Sequence, residues 1–317
     1  MVRKRMNNII FIVNEHAGNG RAKKIWASWK DKLTFPYTFF MTEYSGHAKE
    51  IAKHCAEKSK EEIQIIAIGG DGTIHEIISG VVGFNHVRVG VISAGSGNDF
   101  GRTFSSFQTI EQLQDYLIGF NTLEKMDFGQ LTTEQDSYGF VNNAGFGFDA
   151  KVVYSVNYSR WKKWLNSYGL GKLTYILYVI KELLTFNRFS FSLHTEEDTI
   201  KFDDVWFFVV CNQAFFGGGM KISPSSLPND ELIEMTLVNK LPRWKLLFIF
   251  GTVFFGKHTK YKEVIQFQAK NFKITMHDRV YGHADGEFSC KTEIDQMYSF
   301  SVKSKAWNLA RPINKRS

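Results

Sequence analysis

The chain has 317 residues, 44% hydrophobic and 22% charged, enough apolar content for a real core and enough length for two domains at roughly 100–200 residues each. Three cysteines without a CxxC pair (Cys55, Cys211 and Cys290), 5 prolines and no low-complexity tract exclude a disulfide framework, argue against a cysteine zinc site and a long disordered region, and suit a reducing compartment. A net charge of +7 with 15% aromatics fits a nucleic acid, an anionic membrane surface or a phosphorylated ligand, or simply a soluble basic surface.

The first third alternates apolar runs with helical patterns. Residues 8–13 (NIIFIV), 37–41, 63–68 (IQIIAI) and 87–92 read as strands. Residues 21–33, 46–59 and 73–82 read as helices between them. Strands of near-continuous apolar content, separated by helices, imply a parallel sheet covered on both faces. Ligands on such sheets bind beyond the carboxyl ends of the strands. Beyond about residue 121 short strand-like runs dominate, at 126–132, 139–143, 189–194, 205–211, 234–238, 264–269 and 272–276. They predict a mostly antiparallel second domain, interrupted by helices at 171–186 and 243–255. The apolar run 246–255 is too short to span a bilayer, which takes about 20 residues, and reads as a core helix. The N-terminus lacks the apolar core and cleavage site of a signal peptide. The predicted division is 1–122 and 123–302, with the basic tail from about 303 to 317 packing back on the first domain.

The glycine-rich segments fall at the predicted strand ends. Gly69-Gly70-Asp71-Gly72-Thr73 joins a strand to a helix. Its glycines allow a tight turn and close approach of backbone to a ligand. The helix that follows aims free N–H groups and a positive dipole end at the turn, which suits phosphate, and Thr73 is placed to cap it. A carboxylate there repels phosphate unless a metal intervenes, so Asp71 suggests Mg²⁺ on a nucleoside triphosphate; the plainer reading is a structural turn. A second such turn runs from Ser93 through Ser96 to Asp99, and a third from Asn14 to Gly20. Neither GxxxxGK[ST] nor GxGxxG is present. Far along the chain, Ala284-Asp285-Gly286-Glu287 reads first as a hairpin turn, and alternatively as the carrier of a general base, Glu287. The stretch 142–149 (NNAGFGFD) reads as a turn against ligand or as a bulged loop. Residues 151–190 hold seven Lys/Arg, one acidic residue and several Trp and Tyr, the composition of a membrane-surface contact or of a solvated helix face. The nine histidines show no metal-ligand spacing.

In order, the Asn14–Gly20 loop, GGDGTIHE, SAGSGNDF, NNAGFGFDA and DGE resemble the diacylglycerol kinase catalytic family, with its bacterial soluble lipid kinases and, more distantly, sphingosine and ceramide kinases. The resemblance covers essentially the whole chain. It implies an α/β nucleotide-binding domain with a parallel sheet in three layers, followed by an antiparallel β-sandwich, with ATP in the cleft. By position, Asn14, Glu15, His16, Ala17, Gly18, Thr42, Gly69, Gly70, Asp71, Gly72, Thr73, Ile74, His75, Glu76 and Ser96 would hold ATP. Asp71 would organise the catalytic Mg²⁺, directly or through water, with Asp99 in support, and Glu287 would take the proton from the lipid hydroxyl. A structural Mg²⁺ would sit on the Asp230 carboxylate and the carbonyls of Leu227 and Leu232. Glu15, Ser93, Ser96, Asn229 and Glu231 depart from the family's usual residues. The implied activity is phosphoryl transfer from ATP to a lipid such as diacylglycerol, giving phosphatidic acid, by a cytoplasmic protein peripherally held at the inner membrane face. An NAD kinase-like phosphotransferase on a soluble acceptor and a non-catalytic nucleotide sensor are the competing readings. No RRM, KH or helix-turn-helix pattern supports nucleic acid as a partner, and the oligomeric state stays open.

Overall fold

The computed structural model describes residues 8–95, 97–119, 123–158, 171–196 and 198–313, with residues 171–176 as backbone. In the first half, β1 (Ile9–Val13), β2 (Thr38–Met41), β3 (Ile63–Gly69) and β4 (Val87–Ser93) form parallel pairs in the order β4-β3-β1-β2. Every residue of β3 is buried, because Ile63, Ile65, Ile66 and Ile68 serve both faces of the sheet. Ile65 and Ala67 pack with α2 (His47–Lys58) and α3 (Asp71–Val81). Ile66 and Ile68 pack on the other face with Trp26 of α1 (Ala17–Trp29) and Leu113 of α5 (Ile110–Ile118). Helix, sheet and helix make three layers. The short α4 (Asp99–Phe104) leads from β4 towards α5. Gly18, Asn19 and Gly20 have φ of 62, 55 and 84°, so regular helix in α1 begins at Arg21, where the sequence pattern starts it.

The second half is built on β5 (Glu124–Thr132), β6 (Ser137–Phe140), β7 (Asn143–Gly147), β8 (Phe189–His194), β9 (Thr199–Cys211), β10 (Ile233–Asn239), β11 (Val264–Ala269) and β12 (Asn271–Met276). The hairpin β13 (Tyr281–Ala284) and β14 (Glu287–Lys291) and the long β15 (Met297–Ala310) complete it. All pairs within this half are antiparallel. α6 (Phe148–Asn157), α7 (Gly171–Thr185) and α8 (Arg243–Val253) lie among the strands. The core is rich in aromatic rings: Phe191 and Phe208 lie 4.6 Å apart, tilted by 40°, and Trp206 and Phe300 are fully buried with them. Aromatic pairs add about 0.5–1.5 kcal/mol each beyond the area they bury.

One 15-stranded sheet runs through both halves, and β15 is the seam. Its first part pairs with β12 and β5, and Asn308–Ala310 then pairs in parallel with Arg88–Gly90 of β4. Trp307 is buried against Phe104, 5.5 Å between centroids, and its Nε1 donates to the Asp127 carbonyl at 3.1 Å. The expected single strand at 139–143 is two strands, because the chain turns at Val141–Asn142 between β6 and β7. The NNAGFGFD stretch is therefore strand and helix start rather than loop: a Cβ on Gly145 would come within 2.4 Å of the Phe208 carbonyl, so its glycine serves close strand packing. The helix expected to be core at 243–255 is so on one face only: Leu246, Ile249 and Val253 are buried while Trp244, Leu247 and Phe248 are exposed.

Candidate active site

Loops after β1, β3 and β4 meet at one rim. Asn14 Nδ2 donates to Thr73 Oγ1 at 3.0 Å, joining the first loop to α3. A Cβ on Gly18 would lie 1.9 Å from the Ala94 carbonyl, and one on Gly95 2.7 Å from the Gly70 Cα. The three loops thus touch backbone to backbone, and only glycine fits. α3 begins at Asp71, two residues before its expected start, with Gly70 before it making no side-chain cap. Thr73 is therefore not the cap: its hydroxyl is engaged by Asn14. The first helical bond, Ile74 N–H to Gly70 carbonyl, is 3.1 Å, and the N–H groups of the preceding turn are aimed at the rim.

A cavity of about 580 Å³ opens there, walled by the three loops and by residues 42–45 after β2. Of the expected ATP-holding residues, Asn14, His16, Ala17, Gly18, Thr42, Gly70, Asp71, Gly72, Thr73 and Glu76 line it. The Glu76 carboxylate also accepts from Gly46 N–H at 2.8 Å and Ala48 N–H at 3.1 Å, fixing the start of α2. Four expectations fall away from the wall. Ile74 is core, Gly69 is the buried end of β3, Glu15 turns to Lys23 at 3.6 Å, and His75 faces the other side of α3. Ser96 lies outside the described residues. Tyr44 and Ser45 line the cavity and were missed, since nothing in TEYSGH resembles a phosphate loop.

Asp71 Oδ1 accepts from Phe100 N–H at 3.2 Å, and Asp99 accepts from Gly218 and Gly219 N–H, each at 2.7 Å. Burial pushes both carboxyls above their ordinary range, these N–H groups oppose it, and the charges of Asp285 on Asp71 and of Asp71 on Asp99 add to the rise. Arg102 Nη1 stands 3.2 Å from Asp99 Oδ1 and offsets that carboxylate, which leaves Asp71, on the cavity wall, as the carboxylate placed to meet a cation. This donor chemistry fits Mg²⁺.

The Asp285-Gly286 pair is the expected turn, φ 47 and 81°, between β13 and β14. Its carboxylate does more than turn the chain. Asp285 accepts from the N–H groups of Val141, Asn142 and Asn143 at 2.7, 2.8 and 2.9 Å, and meets His75 Nδ1 at 2.7 Å. Burial alone would raise its pKa; the His75 bond and charge, with the N–H donors, hold it below the ordinary carboxylate value. Burial works against the charged form of His75, but Asp285 overrides it and the imidazole is raised. The pair ties the hairpin carrying Glu287 to the helix whose N-terminus faces the first cavity. Glu287 is exposed and lines a second cavity of about 440 Å³, with His75 and Ser79 of α3 and with Phe128, Phe288, Lys49 and Lys303.

Comparisons with known proteins bear on the family and the fold. Residues 8–131 match the diacylglycerol kinase catalytic domain, and residues 142–301 match the YegS C-terminal NAD kinase beta sandwich-like domain. YtlR of Bacillus subtilis, a candidate lipid kinase, is 32% identical over 291 residues, 89% of this chain and 94% of that one. The chain belongs to the diacylglycerol kinase family. A diacylglycerol kinase of Mycobacterium tuberculosis is 27% identical over 91% of each chain. In fold, a candidate diacylglycerol kinase of Bacillus anthracis superposes with a TM-score of 0.73 at 20% identity, over 96% of this chain and 95% of that one. Yeast NADH kinase shares the fold at a TM-score of 0.54 and 8% identity, over 98% of this chain and 84% of that one.

The loop where the family resemblance places a structural ion lies beside β5. Asp127 N–H donates to the Pro228 carbonyl, and the Asp127 carboxylate accepts from Glu231 and Lys305 N–H, all at 2.7 Å. Asp230 Oδ1 accepts from Leu232 N–H at 3.1 Å. Glu231 has φ 66°, a backbone region that favours glycine; its ion pair with Lys305, 2.6 Å, helps hold the strained residue. Nearby Glu234 is buried; burial pushes its carboxyl up and the charge of Asp230 adds to the rise, while hydrogen bonds from Ser226 and from Gln268, 2.8 Å, oppose it. The carboxylates of Asp127, Asp230 and Glu231 gathered at this loop suit a divalent cation. No cluster of three or more His, Cys, Asp or Glu side chains poised for a metal occurs among the described residues, so carbonyls would have to complete the shell.

Proposed function

We propose that this kinase transfers the γ-phosphate of ATP to the hydroxyl of a lipid such as diacylglycerol, giving phosphatidic acid. The observation that carries the reading is the His75–Asp285 contact of 2.7 Å. It sets the Glu287 hairpin in fixed relation to α3, which stands between the two cavities. The glycine loops and the first turn of α3 bind the triphosphate, supplying backbone donors where charge must be neutralised. Asp71, with Asp99 behind it, would hold Mg²⁺, which when bound offsets phosphate charge. Asp230, with the carbonyls of Leu227 and Leu232, would hold a second, structural ion. The second cavity takes the acceptor alcohol: its wall joins apolar Val82, Phe128 and Phe288 to Lys49 and Lys303, an amphiphilic lining for an amphiphilic substrate. Glu287 receives the hydroxyl proton as the oxygen attacks phosphorus, a role that typically contributes about 10²–10⁴-fold.

The test is transfer of γ-labelled phosphate from ATP with Mg²⁺ to a panel of lipids in mixed micelles, with Glu287→Ala alongside. Label enters one lipid class, and the variant loses about 10²–10⁴-fold in turnover while ATP affinity stays near wild type. ATP binding without label in any lipid overturns the acceptor assignment, and equal loss of ATP affinity in the variant overturns the role of Glu287.

A further inference from the structure

We infer that α8 and the turn after it form the face that docks on anionic membrane. The inference rests on the lipid-acceptor reading above and assigns a surface to it. Apart from Arg243 and Lys245, both engaged within the fold, α8 carries apolar residues on every side. A helix of that kind is ordinarily buried. Here Leu246, Ile249 and Val253 pack into the sandwich, whereas Trp244, Leu247, Phe248 and Phe255 form a second stripe in solvent. Trp244, Phe248 and Phe255 are 65, 72 and 75% exposed. Their spacing of three, four and seven residues places them along one line of the helix and its exit. Arg243 donates to the carbonyls of Leu183 and Phe186 at the end of α7, whose Ile180 and Leu184 are also exposed. Arg243 thereby ties the start of α8 to the end of α7.

The charge around this stripe selects its partner. Residues 240–262 contain six Lys/Arg and no Asp or Glu. Arg243 and Lys245 are engaged within the fold, Lys245 with Glu263. Lys240, Lys257, Lys260 and Lys262 are exposed and form no ion pair among the described residues. An apolar aromatic stripe rimmed with lysine suits the boundary between headgroups and acyl chains of an anionic leaflet. A second copy of the chain would bring the same lysines face to face, and like charges disfavour that.

The experiment uses vesicles without acceptor lipid or ATP, so docking is read apart from catalysis. Wild type, Phe248→Ser/Phe255→Ser and Lys257→Glu/Lys260→Glu are sedimented with phosphatidylglycerol or phosphatidylcholine vesicles at low and high salt. Wild type binds phosphatidylglycerol, and binding weakens with salt. Each double variant binds about tenfold or more weakly with unchanged circular dichroism. Phosphorylation of a short-chain diacylglycerol dispersed as monomers stays at the wild-type rate in both variants, while the rate on vesicles falls. Failure of wild type to label the monomeric substrate strikes the kinase reading and leaves the docking result standing. Undiminished vesicle binding by the serine variant overturns the inference. A wild-type dimer in sedimentation velocity that the serine variant abolishes, with vesicle binding unaltered, assigns the face to self-association instead.

Discussion

Asp285 is a turn residue that ended up as a structural anion. Removing its carboxylate in Asp285→Ala leaves three backbone N–H groups and an imidazole without their acceptor. Breaking a buried charged contact of this kind costs about 3–5 kcal/mol, which chemical denaturation measures directly. The pair also sets a pH dependence. His75 is raised in the folded state, so its contribution is complete below its ordinary value of 6.5 and is lost as pH rises through the folded value. Asp285 is lowered, so its contribution is present above 3.8 and is lost as pH falls through the folded value. Stability therefore declines as pH rises above 6.5 through the raised folded value, and His75→Asn flattens that limb; an unchanged slope removes His75 from the account. None of this was legible in YGHADGEF. The turn chemistry of Asp-Gly was, but its donors lie 142–144 positions away in the chain.

The glycine loops were legible as elements because their spacing follows the strands. Which glycine is obligatory was not, since that depends on which loop lies against which. Gly18 and Gly72 both line the first cavity, yet a Cβ meets the Ala94 carbonyl at 1.9 Å in one case and nothing within 4 Å in the other. Gly18→Ala is expected to lose both stability, by about 1–3 kcal/mol, and ATP affinity. Gly72→Ala keeps or gains stability, up to about 1 kcal/mol, and any loss is confined to ATP. Thermal denaturation beside nucleotide titration separates the two. Strands of strong alternation, such as β8 and β11, were placed within a residue or matched outright. β13 and β14 were not, because Gly282 and the buried polar pair His283–Asp149, 2.7 Å apart, interrupt any apolar pattern. α8 was readable as a helix but not in its exposure, since an evenly apolar sequence has no preferred face.

At the scale of the molecule, the two halves share one sheet, so they should unfold together. Trp307 sits at the junction, fully enclosed between Phe104 of the first half and Asp127 of the second. Trp307→Ala is expected to cost about 3–5 kcal/mol. The denaturant midpoint read by ATP binding and that read by near-ultraviolet dichroism of the sandwich should shift equally. Separate midpoints would mean that the seam does not couple the halves. The parallel–antiparallel division was legible from the change in run length near residue 121. The tail from about 303 was expected to return to the first domain, but not as a strand: WNLA is too short and too mixed to declare one, and its partner β4 lies more than two hundred positions earlier.

That seam also orders events during synthesis. The β4 edge of the nucleotide-binding half waits for Asn308–Ala310 to cover it. At ribosomal rates of about 5–20 residues per second, the wait lasts roughly 10–40 s. Throughout it the β4 edge and the place for the Trp307 indole have no cover, which makes the freshly made chain a natural client for chaperones that shield unpaired strands.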